Sequence, residues 1–319
     1  MPVRDRNDDV SSAFDVHSVH RCDKSRMTSR GRGEVARFDR SRAGRIRAAS
    51  LLGVKDSMNS FSGTLFDLSG HSAFITGGSR GIGRAISERL AQHGANVVVC
   101  GRKMDSAAEV AEVINGRDGG RALAVVGNIT RAEDLERMIS EAEQAFGIID
   151  ILVANAGLHI HFGPSAEMTD AVLEKTMDGN FRALHRLSQR LVPGMVTQSW
   201  GRIINIGSIA AHFGSGLYHS YTLSKSLAMQ YIRNIAVEFG ERGVRANTVS
   251  PGLVRTDMAR GLLEDEVELR KELDRSTVGR PGEPDEIAGM VVALASAAGN
   301  YVNGQTIAVD GGQTIRYVA

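Results

Sequence analysis

The chain has 319 residues, 42% hydrophobic and 24% charged, with a formal net charge of +1. This is the composition of a globular protein, enough for one large domain or two small ones, and it implies no overall polyanion partner. Two cysteines, Cys22 and Cys100, exclude a disulfide framework and have no zinc-ligand spacing, and no run of about 18 apolar residues offers a membrane span.

The charge is unevenly spread. Residues 1–60 hold 13 Lys+Arg against 8 Asp+Glu, and the remainder holds 25 against 29. This charge-rich, weakly apolar start predicts a disordered basic extension over 1–61 and a single domain over 62–319. Asp5, Asp8, Asp9 and Asp15 argue against a targeting peptide. The same acids dilute a nucleic-acid arm, and no aromatics interleave with the cations. The extension is expected to be dispensable, with Met58 as the functional start. A reducing, cytoplasmic compartment is the natural expectation for so few cysteines.

From Phe66 the texture changes. Strands are predicted at 72–76, 96–100, 122–126 and 150–154, alternating with helices at 81–94, 104–116 and 131–146. The second half predicts a long helix at 169–198, a strand at 202–207 and a helix at 218–240. A strand follows at 245–249, then a polar, charge-rich segment at 255–278, a helix at 284–297 and a strand at 306–309. Apolar runs such as Asn96-Val-Val-Val-Cys100 suit strands buried on both faces. The alternation predicts an α/β fold, a Rossmann-type doubly wound parallel sheet of about seven strands with helices on both faces.

The first strand runs into Thr76-Gly-Gly-Ser-Arg-Gly-Ile-Gly83 and then a helix. Glycines 77, 81 and 83 let backbone approach a pyrophosphate seated on the helix N-terminus. Thr76, Ser79, Arg80 and Ile82 share that loop and are candidate cofactor contacts. The second strand ends at Cys100-Gly-Arg-Lys103, with no acid to read a ribose hydroxyl. Arg102, Lys103 and Arg80 instead suit a 2′-phosphate, hence NADP(H).

Tyr221 and Lys225 are four residues apart and share one helix face. A lysine ammonium beside a phenol is expected to lower its pKa, so that the tyrosine exchanges a proton near neutrality. Ser208, at the end of a strand, is placed to hold a substrate oxygen.

Taken together, these residues resemble the short-chain dehydrogenase/reductase family in its single-domain branch, over about residues 66–313. The resemblance rests on T-G-x-x-x-G-x-G at Thr76–Gly83, on Asn155-Ala156-Gly157 after the fourth strand, and on Asn180. It rests also on Ser208 thirteen residues before Tyr221, on Tyr221-x-x-x-Lys225, on Pro251-Gly252 with Thr256, and on the ending Asn303 to Gly312. It implies a catalytic tetrad of Asn180, Ser208, Tyr221 and Lys225, with Asn180 holding a relay water. It also implies cofactor contacts from Asn128 and Ile129, from Asn155, Ala156 and Gly157, from Tyr221 and Lys225, and from Pro251, Gly252 and Thr256.

Three departures stand out. Asn128 stands where the family usually has Asp, and its amide oxygen is expected to accept from the adenine amino group. Gly207-Ser208 replaces the common Ser-Ser. Asp178-Gly179 precedes Asn180, where the glycine is expected to loosen the helix.

The activity implied is NADP(H)-dependent interconversion of a ketone or aldehyde and a secondary alcohol. The alternatives are a 3-ketoacyl-thioester reductase and a non-catalytic NADP-binding sensor. A small or medium ketone, polyol or sugar acid is the expected substrate, and the texture is closest to ketone reductases and gluconate 5-dehydrogenase-like members. Neither a metal nor a nucleic acid nor a membrane is expected as a partner, and a homotetramer or homodimer is. His159 and His161 are expected at the pocket rim, and His212, Tyr218 and His219 between Ser208 and Tyr221. Arg182, Arg186 and Arg190 form a basic helix stripe, expected to be solvated or to meet another subunit.

Overall fold

The computed structural model describes residues 65–316, so the expected extension over 1–61 lies outside the described residues. Seven strands form one sheet: β1 (Ser72–Thr76), β2 (Asn96–Gly101), β3 (Ala122–Val126), β4 (Ile151–Ala154), β5 (Gly201–Ile206), β6 (Val244–Pro251) and β7 (Thr306–Val309). Their order is β3-β2-β1-β4-β5-β6-β7, and every neighbouring pair is parallel. The order reverses between β1 and β4, and in such sheets the crevice beyond the carboxyl ends at this point receives ligands.

The helices are α1 (Gly81–Gln92), α2 (Met104–Asn115), α3 (Ala132–Phe146), α4 (Asp170–Met177), α5 (Ala183–Thr197), α6 (His219–Phe239), α7 (Arg260–Glu264), α8 (Glu266–Arg275) and α9 (Pro284–Ala295). Because side chains alternate along a strand, each central strand feeds two cores. Ala73, Ile75, Val97, Val99 and Ile204 pack with α1, α2 and α9. Phe74, Val98, Leu152 and Ile203 pack with α3, α5 and α6. This burial on both faces is why the strands read as continuous apolar runs.

Helix ends follow local chemistry. Pro284 opens α9 behind a reciprocal capping box between Glu283 and Glu286. Gly147, at a φ of 75°, closes α3 in a conformation that side chains resist.

The helix expected at 169–198 is not uniform. A π-helical turn, Asp178–Arg182, separates α4 from α5. Gly179, expected to loosen the helix, lies within this irregular turn. A Cβ there would lie 2.6 Å from Leu158 Cδ1, so the glycine permits a close approach of the loop after β4.

The basic stripe is partly exposed and paired. Arg182 pairs with Glu174 and Asp178, Arg190 pairs with Glu136 and Glu143, and Arg186 donates to the Thr130 carbonyl. Four of these five partners lie on α3, on α4 or at the turn that follows α4, and the stripe is thus largely neutralised within the chain.

At the far, amino edge of the sheet, His71 bonds Asp150 at 2.7 Å and stacks on Trp200 at 3.7 Å, with the Arg202 guanidinium 4.4 Å from the same indole. Leu152 sits fully buried in the central strand β4. Leu152→Ala is expected to lower unfolding stability by about 2–5 kcal/mol, read as a shifted denaturant midpoint at unchanged slope.

Candidate active site

The loop from β1 into α1 is shaped by backbone constraints. Gly77 and Gly81 hold φ of +64° and +52°, which side chains rarely adopt. A Cβ on Gly83 would fall 2.0 Å from the Gly77 carbonyl oxygen, so only glycine lets α1 pack beneath the loop. Asn155, just past β4, stitches the loop down: its Nδ2 donates to the Thr76 and Gly77 carbonyls at 2.9 and 3.2 Å. The Thr76 hydroxyl accepts from the backbone N–H groups of Asn155 and Ala156, each at 3.0 Å. Ser79 lies near the end of β2, where a Cβ on Gly101 would come within 3.3 Å of its hydroxyl.

The N-terminus of α1 has no side-chain cap and no acid in its first turn. It leaves donors and a positive dipole end facing the crevice, which fits a phosphate. Ile82 is half-buried against the core. Arg102 and Lys103 are exposed and enter no ion pair among the described residues. Arg80 is separated from them in its pairing, since its guanidinium lies 3.9 Å from Asp257. The segment after β6 returns to the same loop. Gly252 donates to the Val309 carbonyl at 3.1 Å and follows Pro251, the last residue of β6. The Thr256 methyl lies 3.3 Å from where a Cβ on Gly81 would sit.

Asn128 departs from expectation. Its amide oxygen already accepts from the Thr130 N–H at 3.1 Å and the Thr130 hydroxyl at 3.0 Å. With both lone pairs engaged, its free group toward solvent is the NH2 donor. Ile129, beside it, packs against the core.

The four expected tetrad residues are held on three different supports. Ser208 follows β5 and caps the short turn Ile209–His212, its hydroxyl oxygen accepting from Ala210 N–H at 3.2 Å. That leaves its own proton free to donate. Tyr221 and Lys225 lie in the first turns of α6. Lys225 is 4% exposed and donates to the Ile206 carbonyl at 2.7 Å. Burial pushes its ammonium down to about 8.

Asn180, on the π-helical turn, is also buried. Its Nδ2 donates to the Leu158 carbonyl and to Ser224 Oγ, both at 2.9 Å, and its Oδ1 accepts from Leu158 N–H at 2.6 Å. A Cβ on Gly157 would meet Lys225 Nζ at 3.4 Å and Asn180 Oδ1 at 3.6 Å. The missing Cβ thus keeps those two groups on either side of one small space.

The expected lowering of the Tyr221 phenol is not found. Lys225 Nζ lies 5.8 Å from the centroid of the Tyr221 ring and is bonded elsewhere. Burial raises the phenol above its ordinary value, with the Ser208 hydroxyl pulling weakly the other way. Helix spacing alone shows that two side chains share a face, but not how far desolvation outweighs the charge.

The pocket wall is clearer than the sequence allowed. His159 sits between Tyr218 and Tyr221, its ring centroid 5.0 and 4.9 Å from theirs. Its buried Nε2 has no hydrogen-bond partner, and burial lowers its pKa, keeping it neutral. His161 turns instead toward the Pro164 carbonyl. His212 is exposed at the end of its turn. His219 opens α6, next to Tyr218. Leu158 and Ser224, the partners of Asn180, were missed by sequence reasoning. Their signal was their place beside motif residues, one after Asn155-Ala156-Gly157 and the other before Lys225.

This arrangement places a phenol, a free hydroxyl proton and a buried ammonium on the same carboxyl edge of the sheet as the uncapped N-terminus of α1. That combination can pass a proton to a carbonyl oxygen while a nicotinamide dinucleotide lies along the strand ends. The family model described as enoyl-(acyl carrier protein) reductase matches residues 77–314. Dehydrogenase/reductase SDR family member 4 of Homo sapiens is 34% identical over 244 residues, covering 76% of this chain and 87% of that protein. The 3-oxoacyl-(acyl-carrier-protein) reductase FabG of Vibrio harveyi is 36% identical over 246 residues, covering 77% and 98%. The structure of a gluconate 5-dehydrogenase from Burkholderia cenocepacia J2315, in complex with NADP and tartrate, superposes with a TM-score of 0.75 at 30% identity, covering 79% of this chain and 98% of that one. With this fold, this site and these relatives, the chain belongs to the short-chain dehydrogenase/reductase family of oxidoreductases.

Proposed function

We propose that the protein is an NADP(H)-dependent reductase that converts a ketone or aldehyde to an alcohol, and the reverse. The observation that carries this reading is the meeting of Ser208, Tyr221 and Lys225 on the carboxyl edge of the sheet, the edge from which the uncapped α1 also starts. Reduced nicotinamide, when bound, supplies the hydride. Tyr221 gives its phenolic proton to the carbonyl oxygen, and Ser208 donates a hydrogen bond to that oxygen as negative charge develops. Lys225 has one protein acceptor for three N–H donors, and the other donors suit ribose hydroxyls. Asn180 fixes the loop after β4 through both Leu158 backbone groups and borders the space where a relay water would sit.

The preference for the phosphorylated cofactor rests on Arg102 and Lys103, exposed and without ion pairs at the end of β2. The gluconate 5-dehydrogenase relative holds NADP. Because Arg80 leans toward Asp257, it is given the smaller part. Asn128 would meet the adenine with its NH2 donor rather than with the oxygen first expected.

Residues 62–319 are proposed as one catalytic domain, active from Met58 and located in the cytoplasm. Leu223 and Leu227, exposed on α6, are proposed to be covered in a homotetramer or homodimer.

Tyr221→Phe is expected to lower reductase kcat by about 100- to 10,000-fold with NADPH binding retained, checked by steady-state kinetics and cofactor fluorescence. The paired change Arg102→Ala with Lys103→Ala is expected to lower kcat/KM for NADPH by about 10- to 100-fold and to leave that for NADH nearly unchanged. Equal losses with both cofactors would remove the 2′-phosphate assignment. The pH dependence has a definite sign. Lys225 is charged below about 8 and neutral above it, and Tyr221, raised by burial, keeps its proton throughout that range. The reduction rate is therefore expected to fall as pH rises through about 8, measured as a kcat/KM profile.

A further inference from the structure

Three segments border the mouth of the site: 158–163 after β4, 212–218 before α6, and 257–278, which carries α7 and α8. The first two are joined to each other, and the first is joined to Asn180 through Leu158. Gly163 N–H donates to the Leu217 carbonyl at 3.1 Å, and Gly163 and Tyr218 form an isolated parallel bridge. Burial raises the Tyr218 phenol above its ordinary value, and the negative charges of Glu272 and Glu268 on α8 add to that rise.

Each segment exposes large apolar side chains: Ile160 and Phe162, Phe213 and Leu217, Met258 and Val267. Phe162 is 63% exposed and stands edge-on to Tyr218 at 5.2 Å. Exposed apolar groups gathered beside a candidate catalytic site are the usual mark of a surface that receives an apolar ligand.

The charges of the mouth point the same way. Segments 158–163 and 212–218 contain neither Lys nor Arg. The third holds four cations, and each has a carboxylate partner: Arg260 with Asp257, Arg270 with Asp274, Lys271 with Glu268, and Arg275 with Glu272. Among the described residues, an anionic substrate would find in these three segments no Lys or Arg without a carboxylate partner, and would approach carboxylates. The neutral His159, with its unpartnered Nε2 between Tyr218 and Tyr221, adds a polar contact without charge.

We infer that the substrate is an uncharged carbonyl compound with a bulky apolar body, aromatic or alicyclic, which packs against Phe162, Phe213 and Leu217 while its oxygen reaches Ser208 and Tyr221. The polyol and sugar-acid substrates expected from the sequence fit this mouth poorly, as does an acyl thioester on a phosphate-bearing carrier. The inference rests on the reductase reading above.

The test is NADPH oxidation by the full chain with 4-phenyl-2-butanone, 5-keto-D-gluconate and acetoacetyl-coenzyme A. The expected result is a kcat/KM for the phenyl ketone at least about tenfold above either anion. In Phe162→Ser, the KM for the phenyl ketone should rise about tenfold, by more than kcat falls. A higher kcat/KM for either anion would overturn the inference and leave the reductase reading standing. So would a Phe162→Ser protein whose KM is unchanged but whose oligomer dissociates, since the rim would then be covered by a second copy. No turnover of any of the three with NADPH or NADH would overturn both.

Discussion

A buried ammonium sets the terms for this site. Lys225 is enclosed on α6 and meets the protein through the Ile206 carbonyl. The fall of its pKa from 10.5 to about 8 corresponds to about 3 kcal/mol against the charged form. A side chain in solvent would avoid that cost, so the surrounding packing must enforce it. The enforcement comes from β5, whose last carbonyl supplies the acceptor, and from Ser220 and Ser224, buried on the same helix. An ammonium enclosed by protein, with donors beyond its one protein acceptor, is ready to bind hydroxyls without reorganisation, which is the kind of preorganised charge that serves a transition state.

The other parts of the site can be understood as holding that helix at the right distance from β4. Asn180 acts like a short piece of strand: it pairs with both backbone groups of Leu158 and reaches across to Ser224 on α6. A regular α-helix from 170 to 197 would set Asn180 in a different register, and the π-helical turn supplies the shift. Gly179 makes room for the Leu158 side chain that the clamp draws in. One insertion in a helix, one glycine and one amide thus fix the loop that carries His159 into the pocket wall.

Most of the fold was legible because its signals are local or strictly periodic. Val97, Val98 and Val99 announce a strand covered on both faces, and the order of elements then leaves a parallel sheet as the economical solution. The glycine loop and Tyr221-x-x-x-Lys225 were readable because each is a short stretch whose geometry follows from its own backbone. What escaped depends on tertiary surroundings. The spacing of Tyr221 and Lys225 gave no measure of desolvation, which reverses the direction expected for the phenol. The composition of Arg182, Arg186 and Arg190 gave no sign of Glu136 and Glu143 on a neighbouring helix. Asn128 was judged on its capacity to accept, and the Thr130 hydroxyl that occupies it was two residues away in plain view.

The same division between scaffold and loop bears on how far likeness to relatives reaches. Thr76, Asn155, Ser208 and Lys225 sit at or beside the carboxyl ends of strands, or bond directly to them, so their positions are fixed by sheet register. Relatives that share the sheet can share this chemistry at modest identity. The mouth is held differently: segments 158–163 and 212–218 meet through a backbone hydrogen bond at Gly163, and the segment with α7 and α8 is tied back near Arg255 and Gly282, by the Thr277 and Val278 N–H groups on the Gly311 carbonyl, and by Gln313 on Glu272. Such segments can exchange side chains without disturbing the core. Ser208, Tyr221 and Lys225 therefore bear on a reaction class, while Phe162 and Leu217 lie on segments free to vary. A substrate argument has to start from the side chains and charges of those segments, because a fold and its strand ends host many substrates.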